Sequence, residues 1–401
     1  MRLALLLLLA PFAFACAQET PVPTAQDCVP PDAAFTTAGW QTDFCERIVD
    51  LASIRSGGPP RDGIPPLDAP AFVPAVEAEA WLSDAEPVIV LELGGAVAIY
   101  PLQILTWHEI VNDTVGGTPV AVTYCPLCNA AVAFERPALS SEGGDGERLT
   151  FGTTGNLRHS DLVMWDRQTE TWWQQFTGTA IVGELTGMQL TILPTALVSW
   201  AKARAAHPDA PVLSRDTGFD RPYGRNPYVG YDDEARDPFL YDGEVGPQLP
   251  AMARIAGVIV SDEDGDAERE GAEAARAYAF RDLAEVRVVN DALGGEPLLV
   301  VWQPGTASAL NAEALADSRD VGATGVFRRT VATPGGLQAL TFEATPDGIR
   351  DVETGSIWTL FGEAVTGPLA GQQLDRIAHH DVFWFVWSAF QPDGDLWRPA
   401  R

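Results

Sequence analysis

Short runs of apolar residues, separated by glycine and proline, dominate the chain from about residue 72 onward. Runs of about four to eight residues predict β-strands, and two longer stretches, 102–112 and 196–206, have apolar residues at helical spacing. The strands predicted in the first half are 87–93, 96–100, 119–124, 130–135, 148–151, 162–166, 171–176 and 189–193. The pattern therefore predicts a β-rich α+β protein with mainly antiparallel strands.

The same pattern occurs a second time when the chain is shifted by 178 residues. The shift aligns Tyr100 with Tyr278, Leu105 with Leu283, Asn112 with Asn290, Gly116 with Gly294, Pro119 with Pro297 and Pro126 with Pro304. A slightly larger offset aligns Asp166, Thr169, Trp173 and Phe176 with Asp351, Thr354, Trp358 and Phe361. Self-similarity over such a distance indicates one structural unit present twice. We therefore expect an internally duplicated fold, each repeat having one or two helices.

The repeat defines the expected organisation of the chain. We predict a signal peptide at 1–15, a tether and Pro/Gly-rich leading segment at 16–71, a first repeat at 72–210, a connector at 211–250 and a second repeat at 251–398.

At the positions that align with the cysteine region, side chains able to bind a metal or react as thiols are present in only one of the two copies. At the 178-residue offset His108 is replaced by Val286, Glu109 by Arg287, Cys125 by Gln303 and Cys128 by Thr306. Residues kept in both copies can be explained by turns and core packing, whereas residues confined to one copy need another reason. The first repeat is therefore predicted to carry the functional site.

The charge of the chain limits its partners. Acidic residues outnumber basic ones 55 to 26, for a formal net charge of −29. Such a field repels nucleic acid and anionic membrane surfaces, so neither is an expected partner.

The N-terminus predicts export. Arg2 precedes an apolar run at 3–15 that is interrupted only by Pro11 and is too short to span a bilayer comfortably. Small residues stand before Cys16, which favours lipidation of Cys16 and a periplasmic or outer-surface location. Simple secretion is the alternative, and any contact with a membrane is expected only through that anchor.

Two further cysteines, Cys28 and Cys45, flank a proline-rich part of the leading segment. In an oxidising compartment they are expected to form a structural disulfide.

Cys125 and Cys128 form a Cys-x-x-Cys pair at the end of a predicted strand. Two sulfurs at this spacing can chelate one soft or borderline metal ion. Both Zn²⁺ and Cu⁺ accept thiolate, and the imidazole of His108 is the predicted third ligand. His159, Glu109, Asp113 or water are candidates for the fourth position. The leading hypothesis is thus a copper or zinc site.

Other functions of the same cysteines stay open. A Cys-x-x-Cys pair in the envelope can act as a thiol-disulfide oxidoreductase, form an inert disulfide, or supply a nucleophilic cysteine assisted by His108. The strand–turn–helix context of a thioredoxin-like motif is missing from the predicted elements. A non-enzymatic binding module whose second copy provides an interaction surface is a third possibility, with the protein partner or small ligand unknown. The sequence does not decide whether the protein is an enzyme.

A second polar cluster follows the cysteines and is absent from the second copy. It contains Arg158, His159 and Asp161, and Trp172 and Gln174 lie shortly after it. An arginine in such a cluster can bind an anionic group with two parallel hydrogen bonds. These five residues are predicted to complete the site as ligand-binding or supporting groups.

Five motifs together resemble an exported bacterial and archaeal family known as domain of unknown function 3179. They are Trp107-His108-Glu109-Ile110-Val111-Asn112-Asp113, Tyr124-Cys125-Pro126-Leu127-Cys128-Asn129, Asp161-Leu162-Val163-Met164-Trp165-Asp166-Arg167-Gln168-Thr169, Trp172-Trp173-Gln174-Gln175 and Arg221-Pro222-Tyr223-Gly224-Arg225-Asn226-Pro227-Tyr228. The resemblance covers most of the chain from about residue 60. It implies an envelope location and a site around the Cys-Pro-Leu-Cys segment, and it implies no established reaction.

Overall fold

The structure is a computed structural model that describes residues 28–139, 146–261, 273–333, 336–346 and 348–399. The predicted signal peptide and the lipidation candidate Cys16 lie outside these residues.

The first half of the chain forms three mainly antiparallel sheets. Its strands are β1 (Ile54–Ser56), β2 (Phe72–Val73), β3 (Pro87–Leu93), β4 (Ala96–Pro101), β5 (Ile110–Val115), β6 (Thr118–Cys125), β7 (Ala130–Glu135), β8 (Phe151–Arg158), β9 (Asp161–Asp166), β10 (Trp172–Gln174), β11 (Thr179–Val182), β12 (Ile192–Leu193), β13 (Thr195–Ser199) and β14 (Val212–Leu213). Its helices are α1 (Ala75–Ala78), α2 (Leu102–His108) and α3 (Trp200–Ala206). The sheet orders are β13-β3-β4-β14-β2, β12-β7-β6-β5 and β1-β8-β9-β10-β11.

In its described residues, the second half adds four sheets and two α-helices. Its strands are β15 (Arg254–Ser261), β16 (Glu273–Ala279), β17 (Val288–Leu293), β18 (Glu296–Gln303), β19 (Ala323–Arg328), β20 (Thr330–Thr333), β21 (Gly336–Ala339), β22 (Phe342–Thr345), β23 (Gly348–Asp351), β24 (Ile357–Trp358), β25 (Ala364–Thr366), β26 (His379–Phe383) and β27 (Asp395–Leu396). Its helices are α4 (Phe280–Val286) and α5 (Trp384–Phe390). The sheet orders are β26-β15-β16-β27, β17-β18-β19, β20-β21 and β22-β23-β24-β25. The chain is thus a β-rich α+β protein, as the pattern predicts.

The strand orders of the two halves correspond. The order β13-β3-β4 matches β26-β15-β16, β7-β6-β5 matches β19-β18-β17, and β8-β9-β10-β11 matches β22-β23-β24-β25. Strand β14 runs parallel to β4, and β27 runs parallel to β16. Helices α2 and α4 follow β4 and β16, while α3 and α5 follow β13 and β26.

Polar contacts also recur at the aligned positions. The Trp173 indole N–H donates to Asp166 Oδ2 at 2.9 Å, and Trp358 donates to Asp351 Oδ2 at 2.9 Å. Each carboxylate thereby satisfies the indole of a tryptophan that is almost fully buried. The presence of the same residues at these aligned positions is therefore explained by the buried bond that they form in each half.

One core is continuous across the two halves. Its largest cluster includes Cys125 and Cys128 from the first half, and it includes Val382, Phe383 and Phe385 from the second. The cysteines therefore lie where the halves pack together.

The helix predicted at 102–112 is shorter than expected. Helix α2 ends at His108, and Glu109 follows with φ 59°. The β-branched pair Ile110 and Val111 then enters β5, because β-branched side chains favour a strand paired with a neighbour. Gly116 and Gly117 form the turn between β5 and β6. The strand β5 therefore lies between helix α2 and the strand that leads to the cysteines.

The helix predicted at 196–206 is also partly a strand. Residues Thr195–Ser199 form β13 and pair with Pro87–Leu91 of β3, and α3 begins only at Trp200. Tertiary pairing with a buried strand outweighs the helical spacing here.

The leading segment from residue 28 packs against the first half. Cys28 and Cys45 form the predicted disulfide. Strand β1 pairs with β8, and Phe44, Leu51 and Ile54 are buried in a cluster with Trp172. This segment is part of the folded body.

The longest helices in the described ranges have seven residues. No helix there has the length and apolar character that crossing a membrane requires.

Asn112 provides a test of the first half's packing. Its buried amide donates to Phe151 O at 2.8 Å and accepts from Phe151 N at 2.9 Å. We expect Asn112→Leu to lower the free energy of unfolding by about 2–4 kcal/mol, because two buried backbone groups lose their partner. Urea unfolding monitored by tryptophan fluorescence measures this change.

Asn290 provides the matched control. It makes the same two bonds, to Phe342, but its side chain is exposed. Water can replace the amide there, so Asn290→Leu should cost clearly less. Equal losses for the two variants would contradict the role assigned to Asn112.

Candidate metal centre

The two cysteines lie in the turn between β6 and β7. Cys125 ends β6 opposite Ala130, and residues 126–129 form the connection. The Cys128 N–H donates to Cys125 O at 3.2 Å, and Asn129 adopts φ 54°. Pro126 suits the second position of such a turn, because its ring fixes φ near the required value. The motif therefore forms a tight hairpin turn that brings both thiols to one place.

A second hairpin turn faces the thiols. Arg158 and Asp161 pair at the end of β8 and β9, leaving only His159 and Ser160 in the turn. Both have positive φ, 54° and 66°. Two-residue turns of this type favour glycine or asparagine, so the conformation is strained for histidine and serine. It points the Ser160 carbonyl at the thiols, 3.5 Å from Cys128 Sγ and 4.0 Å from Cys125 Sγ.

The two turns bring three potential metal ligands together. One ligand atom each from Cys125, Cys128 and Asp161 lie within 4.8 Å of one another, and all three residues are buried. Within the described residues this is the one group of three or more histidine, cysteine or acidic side chains with such a separation. The structure thus places Asp161 beside the cysteines.

Neighbouring groups hold the Asp161 carboxylate in place. Its Oδ2 accepts from Gln174 Nε2 at 2.6 Å and from Phe176 N at 2.9 Å. Arg158 in turn donates to Gln174 Oε1 at 3.2 Å. Oδ1 is buried and meets no nitrogen or oxygen donor among the described residues. The Cys128 thiol, a weak donor, is the sulfur group that interacts with this carboxyl.

Burial makes negative charge at the centre unfavourable. Desolvation raises the pKa of Asp161 to about 6, and it raises the pKa of both thiols. The carboxyls of Asp161 and Glu109 raise the pKa of Cys125 further. Without a cation, the two thiols would keep their protons beside the Asp161 carboxyl.

His108 is not part of this group, which corrects the prediction that it supplies the third ligand. Its Nδ1 is bonded to Pro65 O at 2.7 Å and its Nε2 to the Tyr223 hydroxyl at 2.6 Å. The physical reason is the early end of α2. In the register of β5 and β6, Glu109 O accepts from Tyr124 N, so Glu109 and not His108 lies alongside the residue before Cys125.

Three other predicted residues also lie apart from the centre. Asp113 accepts from the Tyr100 hydroxyl at 2.6 Å, in a bond that Asp291 repeats in the second half. The His159 ring packs against Tyr241 and Phe390. Trp172 is fully buried against Phe35, Trp40 and Phe44 of the leading segment. The contacts of these three residues are with groups outside the thiol–carboxylate centre.

Glu109 borders both the centre and an open cavity. The cavity has a volume of about 380 Å³, and Glu109, Leu127 and Leu162 are among its walls. Leu127 lies between the cysteines in the chain and Leu162 follows Asp161, so the cavity wall includes chain neighbours of all three candidate ligands. Burial and the Asp161 charge raise the pKa of Glu109 to about 8.

The connector supplies the opposite wall of the cavity. Tyr228 and Tyr231 line it, and burial together with the nearby cysteines raises the pKa of both phenols. Tyr228 belongs to a motif quoted above, whereas no sequence pattern marked Tyr231. Its contact becomes visible only when the connector is folded over the first half.

The second half holds the cysteine turn from behind. Phe383 N donates to Cys128 O at 3.1 Å, and Asn129 Nδ2 donates to Asp381 O at 2.9 Å. His380 stacks on Phe176 with ring centroids 4.5 Å apart. Strand β26 therefore fixes both the turn and the residue that binds Asp161, although it carries no ligand itself.

The fold and the site together define a β-rich protein with two corresponding halves and a buried thiol–carboxylate centre in the first. The chain belongs to the family described as Protein of unknown function (DUF3179), whose model matches residues 61–394. A comparison with curated proteins and one with solved structures found no match.

His380 provides a test of the contact between the halves. Burial, and then the neighbouring His379, lower the pKa of His380 to about 3. The unfolded chain takes up this proton near pH 6.5, so stability is lost as pH falls below 6.5. At pH 5 the loss from one such histidine is about 2 kcal/mol.

We therefore expect His380→Phe, which keeps a ring on Phe176, to lose less stability than the wild type between pH 7.5 and pH 5. Urea unfolding at the two pH values measures the difference. Parallel losses in both proteins would show that His380 is not the titrating group.

Proposed function

We propose that the protein binds one transition-metal ion, with zinc the best fit, through Cys125, Cys128 and Asp161. The observation that carries the proposal is the convergence of their three ligand atoms within 4.8 Å at the core of the protein. Tetrahedral zinc with Zn–S bonds of about 2.3 Å separates two sulfurs by about 3.8 Å. The side chains need to move by no more than roughly 1 Å to reach that geometry.

The charge of the centre supports a cation. Two thiols and a carboxyl lie together in the core with a further carboxyl, Glu109, close by. Burying such groups as anions costs free energy unless they are paired or bind a metal. A divalent ion would neutralise most of this charge and release the thiol protons. It would also give the unpartnered Asp161 Oδ1 a bond.

The donor set favours zinc over copper. Cu⁺ prefers soft sulfur ligands, whereas Zn²⁺ accepts both thiolate and carboxylate. With three protein ligands, the fourth position would be filled by water or a small ligand, as in zinc sites that exchange ligands. Gln174 and Phe176 N would hold the carboxylate in the way that supporting groups orient metal ligands.

The competing candidate is a thiol-disulfide oxidoreductase or another Cys-dependent enzyme. The closeness of the two sulfurs favours it, because the pair is near enough to oxidise. Their burial and the acidic surroundings work against it, since both disfavour the reactive thiolate.

We also propose an exported location, with lipidation at Cys16 and no nucleic-acid partner. The Cys28–Cys45 disulfide supports an oxidising compartment. A bare pair of neighbouring thiols tends to oxidise in such a compartment, and a bound metal would protect it.

We infer further that the two halves, 72–210 and 251–398, arose by duplication of one unit joined by the connector. The corresponding strand orders and the repeated Asp–Trp bonds support this inference. Under this inference, only the first half has the centre because the second half lost its ligand residues after the duplication.

Metal content tests the proposal directly. Protein purified without chelator should contain about one zinc ion per chain by elemental analysis. We expect Cys125→Ser/Cys128→Ser to lose it, and Asp161→Asn to lose most of it. The asparagine oxygen can still accept from Gln174 and Phe176 N, so this variant removes chiefly the anionic ligand.

His108→Gln is the matched control, because the structure leaves His108 outside the centre. It should retain the metal. Retention by Asp161→Asn with loss by His108→Gln would instead support the ligand set predicted from the sequence. Equal, near-zero metal in all samples, with a disulfide between Cys125 and Cys128 found by mass spectrometry, would favour the thiol redox function.

Gln174 tests the support of the carboxylate. Gln174→Leu removes the 2.6 Å bond to Asp161 Oδ2 without touching a ligand. We expect zinc affinity to fall by about 10- to 100-fold, the usual cost of losing such a supporting group. Competition with a chromophoric chelator measures the affinity. The matched control is Thr359→Leu at the aligned position of the second half, which should leave the affinity unchanged.

A further inference from the structure

The cavity beside the metal centre has an exposed and a buried end. Val229, Arg236 and Phe239 of the connector are exposed parts of its wall. Glu109 and Leu162 are buried parts of the same wall. The cavity therefore extends from the exposed surface of the connector to buried residues next to the thiol–carboxylate centre.

The cavity wall is mainly apolar and carries a cation at its exposed end. Most of the lining side chains are apolar or aromatic, including Leu157, Tyr228 and Phe239. A cation, Arg236, stands at the exposed end. Among the described residues no carboxylate forms an ion pair with its guanidinium, although acidic residues greatly outnumber basic ones in the chain. An unpaired arginine at an apolar opening can form bidentate bonds to a carboxylate.

Exposed apolar residues are concentrated at this opening. Val229 and Phe239 are 50% and 45% exposed, and Leu240 next to them is 36% exposed. Apolar side chains that meet water around a concave site are typical of a ligand-binding surface.

The volume limits the size of the ligand. At about 30 Å³ for each water-sized group, a cavity of about 380 Å³ holds about a dozen non-hydrogen atoms. This is enough for an aromatic ring with a short acidic side chain, and too little for a long fatty acid.

We propose that this cavity binds a small organic acid with an aromatic or branched apolar body. The carboxylate pairs with Arg236 at the opening, and the apolar body lies between the connector and Leu157. The end away from the carboxylate points toward Glu109. This inference goes beyond the metal proposal. The binding groups are the apolar side chains of the wall and the Arg236 guanidinium, and none of them depends on a bound metal ion.

Binding of phenylacetate, measured by isothermal titration calorimetry, tests the proposal. The wild type should bind phenylacetate, whereas acetate, which lacks the apolar body, and phenethylamine, which carries the opposite charge, should not bind measurably. Hexadecanoate should bind no better than phenylacetate. Equal binding of acetate would overturn the proposal, and so would the absence of phenylacetate binding.

Two exposed positions provide variants that leave the core unchanged. Arg236→Gln should weaken phenylacetate binding about threefold to tenfold, the loss expected for one partly exposed charge-assisted hydrogen bond. Val229→Trp should fill the opening and abolish binding. Arg225→Gln is the control, because Arg225 is exposed in the same connector and pairs with Glu313 outside the cavity.

The Cys125→Ser/Cys128→Ser variant separates this proposal from the metal proposal. It should still bind phenylacetate, with the same loss on adding Arg236→Gln. Unchanged binding in both Arg236→Gln and Val229→Trp would place the ligand elsewhere and overturn the assignment.

Discussion

The structure around the site depends on the cost of placing acidic groups in a protein core. Cys125, Cys128 and Asp161 converge there with Glu109 nearby, and burial raises the pKa of each group. Such a cluster is stable only if it keeps its protons or receives a cation. The bonds from Gln174 and Phe176 N hold the carboxylate in either state. Binding of a metal ion at such a site would be coupled to release of the thiol protons.

Much of the fold could be predicted from hydrophobic pattern and turn residues. The strand at 130–135 was predicted at the bounds that the structure has for β7. The ligand set was harder to predict, because the conformation of a few residues decides which side chain faces the cysteines. The apolar spacing of 102–112 fits a helix to its end, yet Ile110 and Val111 pair with β6 instead. Because the helix ends at His108 and the strand begins at Ile110, Glu109 rather than His108 lies beside the centre.

Asp161 illustrates a second limit of sequence reasoning. Its place in a polar cluster suggested a functional role, but not which atoms it would meet. That depends on the strained turn of His159 and Ser160, whose residue types do not favour positive φ. Backbone strain at non-glycine residues persists where the surrounding structure enforces it. Here the enforced turn brings the Ser160 carbonyl and the Asp161 carboxylate to the thiols.

The second half contributes to the site through the segment that lies where the first half has its cysteine turn. Residues 304–322 connect β18 to β19, where the first half has only 126–129. This longer segment bonds to the connector, since Asn226 N donates to Glu313 O and Tyr231 N to Leu310 O. The connector in turn forms the outer wall of the cavity. The second half, which lacks the cysteine turn, thus supports the connector that covers the cavity in the first half.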